Sequence, residues 1–186
     1  SIQDAGIEVS AGFIVGFDSD TPGIFQRQID FIQKSGIITA MVGLLNAPSR
    51  TRLYKRLMKE GRILHTAGGD NTNYTMNFKP VMDKEVLMEG YHSILKQIYS
   101  SKSYHKRLKV FLQRFQPGKV NRARVNRENI LALLRSVIYI GILDRSRIHY
   151  WKLLTWSLFR KPAIFPMAVT YSIYGYHFRK VYRIDD

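Results

Sequence analysis

The chain has 186 residues, 45% of them hydrophobic and 12% aromatic, so it can bury a core and is not intrinsically disordered. It contains no cysteine. This excludes disulfides, thiolate zinc sites, a cysteine nucleophile and a cysteine-ligated iron–sulfur cluster within these residues. The net charge of +15 is divided as +1 over residues 1–60, +6 over 61–120 and +8 over 121–186. Such a basic surface attracts anionic lipid, nucleic acid or acidic partners.

The first 45 residues predict a strand, a helix and a second strand. Both strands, over residues 8–17 and 37–45, are almost continuously apolar, as strands covered on two faces must be. The helix begins after Asp20 or Thr21 with Pro22 at its first position, and Gly36 ends it. This order predicts a slice of a repeating β/α fold. The lack of cysteine and of a secretory signal pattern before the first strand fits a cytoplasmic protein.

Residues beyond 45 read mainly as helices. They are predicted over 52–60, 83–98, 101–115, 130–143, 146–159 and 166–181. Residues 66–80 are rich in turn formers and predict a long ordered loop. A basic linker over 119–127 marks a domain boundary. The uncharged run 162–178 contains Pro166 and Gly175 and is expected to be buried or interfacial rather than spanning a membrane.

Two short patterns have both a functional and a structural interpretation. Gly12 and Gly16 lie inside or at the end of a strand, where glycine marks close approach by a ligand or only relieves packing. Glu89 and His92 have the spacing of a di-iron helix motif, but the motif needs a second copy and two more carboxylates. A surface pair is therefore the better interpretation, and no metal site is predicted.

Three stretches together resemble the cobalamin-binding group of radical S-adenosylmethionine (SAM) enzymes that includes hopanoid methylase-like proteins. Gly12-x-Ile14-x-Gly16 resembles the Gly-x-Ile-x-Gly-x-x-Glu motif of the fifth barrel strand. Residues 48–61, PSRTRLYKRLMKEG, resemble the Pro-Gly-Thr-x-Leu-Tyr-x-x-Leu-x-x-Glu-Gly stretch after the sixth strand. Residues 77–83 and the helices to position 115 resemble the group's C-terminal extension. The resemblance covers about residues 1–116.

The resemblance implies a fold, a set of cofactors and a cofactor-binding wall. The fold would be α/β followed by mostly α, that is, the last strand–helix units of a partial (β/α) barrel and a C-terminal helical extension. SAM would contact Gly12, Ile14, Gly16 and Asn46. The [4Fe–4S] cluster and cobalamin would be held outside this chain, because the Cys-x-x-x-Cys-x-x-Cys loop is absent from it. No catalytic residue is assigned, and the chain alone is predicted to be inactive.

The chain departs from the family motif at one polar position. Ser19 stands where the motif has glutamate, so its polar role passes to Asp18 or Asp20, or is absent. In the resembled group the 66–80 loop lies near the open top of the barrel, which implies a substrate-facing role for Asn71, Asn73 and Tyr74.

The C-terminal third interleaves aromatic and basic residues, as in the sequence from Trp156 to Lys161. A helical core with a basic rim, a membrane-surface face and a nucleic-acid face all fit this pattern, and nucleic acid is the least expected. The domains are predicted as 1–62, the barrel units; 63–118, the loop and helical extension; and 119–186, a basic, aromatic-rich helical tail.

The predicted function is that of the C-terminal part of a radical SAM enzyme. Its reaction would be methyl transfer or a related radical reaction, on a substrate that could be lipid-like. Its partners would be the N-terminal barrel and cobalamin-binding regions and a membrane surface, with a location in the cytoplasm or at the inner face of the membrane. The alternative is a basic membrane-surface or nucleic-acid-binding module without catalysis.

Overall fold

The computed structural model describes residues 3–65, 76–116 and 126–184. Two strands and seven α-helices lie in these ranges, joined by short 3₁₀ turns at Gln3–Ala5 and Pro162–Ile164 and by a π-helical segment at Val137–Ile142. In chain order the strands and helices are β1 Ser10–Val15, α1 Gly23–Ser35, β2 Thr39–Leu44, α2 Arg52–Lys59, α3 Lys84–Tyr99, α4 Ser101–Arg114, α5 Arg127–Ser136, α6 Arg147–Arg160 and α7 Phe165–Val181.

The order and type of the strands and helices predicted from the sequence are confirmed, with ends shifted by a few residues. Most of the predicted loop over 66–80 and of the basic linker over 119–127 lies outside the described residues. Gly36 follows α1 with a φ of 71°, a left-handed conformation that glycine adopts without strain. The Thr51 hydroxyl caps α2 by accepting a hydrogen bond from the Tyr54 amide at 3.1 Å. One helix differs: the predicted helix over 130–143 is α5 followed by the π-helical segment.

The chain divides into two compact units. The sheet unit comprises Ala11–Phe31 and Ala40–Leu95, and the helical unit comprises Ser1–Ser10, Ile32–Thr39 and Lys96–Asp186. The domain boundaries predicted from the sequence after residues 62 and 118 stay predictions. The partial barrel also stays a prediction, because the described residues form one two-stranded sheet.

In the sheet unit, β1 and β2 are parallel neighbours joined by α1. The Leu45 amide donates to the Val15 carbonyl oxygen at 2.8 Å just beyond the end of β2. A core forms where the chain leaves this sheet, and helix α2 and the residues after the 66–75 segment pack into it. Its buried members are Leu45, Ala47, Leu57 and Phe78.

Helix α3 also packs into the sheet unit. The Tyr91 hydroxyl donates to the Val42 carbonyl oxygen in β2 at 3.3 Å. The Phe25 ring of α1 lies directly against Gly90, so that a Cβ atom there would overlap the ring. Glu89 and His92 are both exposed, and neither belongs to a group of three described His, Asp or Glu side chains that could hold a metal ion.

In the helical unit, α4, α6 and α7 pack against one another, and α5 contacts α7. Tyrosine rings form much of its interior. The Tyr104 hydroxyl donates to the Tyr171 carbonyl oxygen at 2.8 Å, and the Tyr99 ring stacks on Tyr182 with 5.2 Å between centroids. No helix within the described ranges is long and apolar enough to cross a membrane.

Candidate functional site

One face of the two-stranded sheet is open. Successive side chains of a strand point to opposite faces, and the hydrogen bond from Leu45 to Val15 fixes how β1 and β2 align. The covered face carries Val15, Ala40 and Val42, all buried. The other face, called here the open sheet face, carries Gly12, Ile14, Met41 and Gly43.

The open sheet face is apolar and has room over its glycines. Ile14 and Met41 are 47% and 57% exposed, although both lie within strands. No heavy atom would lie within 4 Å of a Cβ atom built at Gly12 or at Gly43. Neither glycine has a positive φ, so the backbone does not require glycine at these positions. The space that they leave is therefore free for another group to approach the backbone closely.

Gly16 has a different surrounding from Gly12. It is buried, its φ is 104°, and an added Cβ would lie 3.0 Å from the Met76 Cε atom. Its amide donates to the Asp20 carboxylate at 2.9 Å, and the Phe17 amide donates to the same oxygen at 3.0 Å. The turn after β1 accounts for glycine at position 16, and Asp20 holds that turn.

Asp18 forms an ion-pair network just beyond β1. Its carboxylate lies 2.7 Å from the Arg62 guanidinium and 2.7 Å from that of Arg56. The hydrogen bond from Arg62 is the main reason why the pKa of Asp18 lies below its usual value. Arg62 also contacts Glu60 at 2.9 Å and donates to the Lys79 carbonyl oxygen at 2.8 Å. The carboxylate of Asp18 is thus engaged in joining β1 to the chain around Arg62.

Asn46 lies after β2, where its side chain joins two segments of the sheet unit. Its Oδ1 atom accepts a hydrogen bond from the Asn77 amide at 3.1 Å. The side chain of Asn77, which is buried, in turn accepts from the Ala47 amide and donates to the Ala47 carbonyl oxygen, both at 2.8 Å. Asn77 therefore pairs with Ala47 much as a neighbouring strand would.

The four residues predicted to contact SAM fall into two pairs with different surroundings in the structure. Gly12 and Ile14 lie on the open sheet face, whereas Gly16 and Asn46 hold backbone turns at its end. The contact of these four residues with SAM stays a prediction. Asn71, Asn73 and Tyr74, the predicted substrate-facing residues, lie outside the described residues.

Two residues of the open sheet face were not predicted as site residues. Met41 and Gly43 follow the same alternation in β2 that Gly12 and Ile14 follow in β1. Gly43 was the signal that the sequence offered, because a glycine inside a strand marks a place where another group approaches the backbone closely. Its significance depends on the alignment of the two strands, which the sequence does not specify.

The described residues do not fit a metal centre. No three His, Asp or Glu side chains among them are grouped closely enough to hold a metal ion, and the chain has no cysteine. The open sheet face offers instead apolar side chains with open space over Gly12 and Gly43. A [4Fe–4S] cluster would have no thiolate ligand here.

Comparison with known proteins relates the chain to methylases. A family model described as a domain of unknown function, DUF4070, matches residues 51–185. The Hopanoid C-2 methylase of Rhodopseudomonas palustris is 31% identical over 159 residues, covering 82% of this chain and 29% of that protein. An uncharacterized methyltransferase of Synechocystis sp. is 28% identical over 180 residues, covering 95% of this chain and 34% of that protein. No solved structure matches.

The chain belongs to the DUF4070 family, a domain found in cobalamin-binding radical SAM methylases. The resemblance to the hopanoid methylase-like group, predicted from the three stretches, is thereby confirmed. The chain spans about a third of the length of the curated relatives that it matches.

Proposed function

We propose that this chain is part of a cobalamin-dependent radical SAM methyltransferase, in which the open sheet face forms one wall of the SAM and substrate site. The observation that carries the proposal is the free space over Gly12 and Gly43, between the exposed Ile14 and Met41 side chains. Membership of a family found in methylases supports the reaction class.

The two-stranded sheet supports the further proposal of a partial barrel. Two strands with an apolar face left open are marginally stable alone, so further strands beside β1 or β2 would complete the layer. In a parallel β/α sheet, ligands bind at the carboxyl ends of the strands. The Gly16 turn and Asn46 lie at those ends, which is where SAM would meet this chain.

The chemistry of the reaction would be supplied by groups bound elsewhere in the protein. A [4Fe–4S] cluster would provide the electron for reductive SAM cleavage, and its thiolate ligands would come from outside these residues, which contain no cysteine. The role of this chain would be to shape the site: Gly12 and Gly43 admit the cofactor close to the backbone, and Ile14 and Met41 exclude water. We assign no proton transfer to its side chains.

The substrate is proposed to be lipid-like. One relative is named as a methylase of a hopanoid, and the open sheet face offers apolar rather than charged contacts. A cytoplasmic protein working at the inner face of the membrane would reach such a substrate. Absence of cysteine from the chain fits a reducing compartment.

The proposal is tested with Gly43→Val in the natural full-length protein. The structure leaves room for valine, and valine favours strands, so the fold should tolerate it. Its side chain would occupy the space proposed for SAM, and we expect SAM affinity to fall by about tenfold or more, equivalent to ~1.4 kcal/mol. Isothermal titration calorimetry measures this directly.

Ser10→Val is the matched control, since it places the same side chain at the amino end of β1. It should change SAM affinity by less than about twofold, because ligands bind at the other end of the strands. Unchanged SAM affinity in Gly43→Val and Gly12→Val would contradict the proposal. A full-length reading frame without a three-cysteine motif would also contradict it and would favour the non-catalytic binding module.

A further inference from the structure

The connection between α5 and α6 exposes an unusual number of large apolar side chains. We call residues 135–152, the end of α5, the π-helical segment and the start of α6, the hairpin tip. Large apolar side chains of the hairpin tip with exposures between 42% and 69% are Ile138, Tyr139, Ile142, Leu143, Ile148 and Trp151. Clusters of this kind on a soluble surface mark contact with a protein or a membrane.

The hairpin tip is held in place by internal hydrogen bonds. The Trp151 indole N–H donates to the Gly141 carbonyl oxygen at 3.0 Å, and its ring would lie 3.1 Å from a Cβ atom added at Gly141. The Ser136 and Tyr150 hydroxyls are 2.8 Å apart. The polar atom of the indole is therefore satisfied while part of its ring remains at the surface, as for tryptophan at membrane interfaces.

The charge of the hairpin tip is positive on its outside. Arg135, Arg145, Arg147 and Lys152 are exposed, and Asp144 is the one acidic residue between positions 135 and 152. The Asp144 carboxylate is turned inward, where it lies 2.9 Å from Arg179 and accepts from the Ser146 amide at 2.8 Å. Burial opposes its ionisation, but the hydrogen bonds from Ser146 and Arg179 prevail and lower the pKa of Asp144.

We propose that the hairpin tip docks the protein on an anionic membrane surface, with Ile142, Leu143 and Trp151 entering the headgroup region. Exposed apolar and aromatic side chains combined with arginine and lysine are what such a surface binds. The positive rim favours anionic lipid over a neutral apolar protein partner. This inference goes beyond the methyltransferase proposal and does not depend on it.

The binding test uses the natural full-length protein and vesicles of phosphatidylcholine with or without phosphatidylglycerol. We expect the protein to sediment with the anionic vesicles and to dissociate as salt is raised, because the arginine contribution is screened. Leu143→Ser should weaken binding by about tenfold, through lost apolar burial in the interface. Arg147→Gln should weaken it by about fivefold at low salt.

Two control substitutions lie in the sheet unit. Leu64, at 65% exposure, matches the 69% of Leu143, so Leu64→Ser removes a similar apolar side chain elsewhere. Arg52→Gln likewise removes one exposed charge elsewhere. Both variants should bind vesicles as the parent chain does. Equal losses from Leu64→Ser and Leu143→Ser would overturn the assignment to the hairpin tip.

Fluorescence locates the contact independently. In a full-length variant whose other tryptophans, Trp156 among them, are replaced by phenylalanine, Trp151 is the one indole reporter. Its emission should shift to the blue on vesicle binding, and bromine-labelled lipid should quench it. Sedimentation without quenching would mean that another surface binds the lipid. Self-association in light scattering without vesicle binding would mean that a second copy covers this surface. Either result would overturn the proposal.

Discussion

Gly175→Ala should destabilise the helical unit, although alanine is the better helix former. Gly175 lies in α7 directly against the fully buried ring of Tyr104 in α4. An added Cβ atom would lie 2.6 Å from the Tyr104 Cδ1 atom and 2.9 Å from its Cζ atom, closer than carbon atoms approach in packed interiors. The ring cannot turn away easily, because its hydroxyl donates a hydrogen bond to the carbonyl oxygen of Tyr171, which lies in α7 with Gly175.

The expected magnitude is the difference between two opposing effects. Relieving an overlap with three ring atoms requires α4 and α7 to separate, which places the cost in the upper part, about 2–3 kcal/mol, of the range for overpacking a core. The gain in helix propensity from glycine to alanine is about 1 kcal/mol. We expect a net loss of about 1–2 kcal/mol in the free energy of unfolding, which lowers the urea midpoint by roughly 0.5–1 M for a typical m value.

Urea unfolding followed by tryptophan fluorescence is the assay, because both tryptophans of the chain, Trp151 and Trp156, lie in the helical unit. Thr170→Ala is the control, at an exposed position of α7. It should change the free energy of unfolding by less than about 0.5 kcal/mol. Tyr104→Leu should remove most of the penalty of Gly175→Ala in a double-mutant cycle. A Gly175→Ala variant as stable as the parent chain would refute the reasoning.

Three further substitutions test how charged and polar groups support the two units. Asp18→Asn should lower the free energy of unfolding by about 1–2 kcal/mol at neutral pH. Because the folded-state pKa of Asp18 is lowered, this difference should shrink as pH falls below the ordinary value of 3.8 and should vanish below the folded-state pKa; urea unfolding at pH 7 and at a series of lower pH values measures it. Asn77→Ala should lower the free energy of unfolding by about 2–4 kcal/mol, because both hydrogen bonds with Ala47 are lost and its buried backbone groups are left unpaired. Thermal unfolding measures this loss. Arg107→Met should leave the free energy of unfolding, measured with urea, unchanged or raise it. The Arg107 guanidinium is buried, which lowers its pKa to about 10, and two of its nitrogens have no hydrogen-bond partner.

Local sequence signals predicted the elements of this fold well. Pro22 before α1 and Gly36 after it identify the ends of one helix, and Thr51 identifies the start of another. The apolar runs of β1 and β2 predicted strands because no helical spacing fits them. These features depend on neighbouring residues in the chain, and the sequence contains that information directly.

The parts that were not predicted depend on residues far apart in the chain. Asn77 lies in a segment that was predicted as a loop. Its side chain is nevertheless buried, where it accepts a hydrogen bond from the amide of Ala47, 30 positions earlier. The π-helical segment had the apolar composition of a continuing helix, and only the contact of Gly141 with Trp151 distinguishes it. Arg107 is buried in α4, and nothing near it in the sequence indicates this.

The glycines show why the site itself could be predicted only in part. Gly12, Gly16, Gly43 and Gly175 all interrupt apolar runs, and the sequence alone does not tell which of them lies against a neighbouring residue. The structure separates them, since a side chain at Gly16 or Gly175 would meet a neighbouring residue, whereas one at Gly12 or Gly43 would meet nothing. Substitution at Gly16 or Gly175 should therefore reduce stability whether or not a cofactor is bound. Substitution at Gly12 or Gly43 should leave stability intact and reduce only SAM binding. This opposite pattern distinguishes a cofactor wall from a folding requirement, and it needs no knowledge of the substrate.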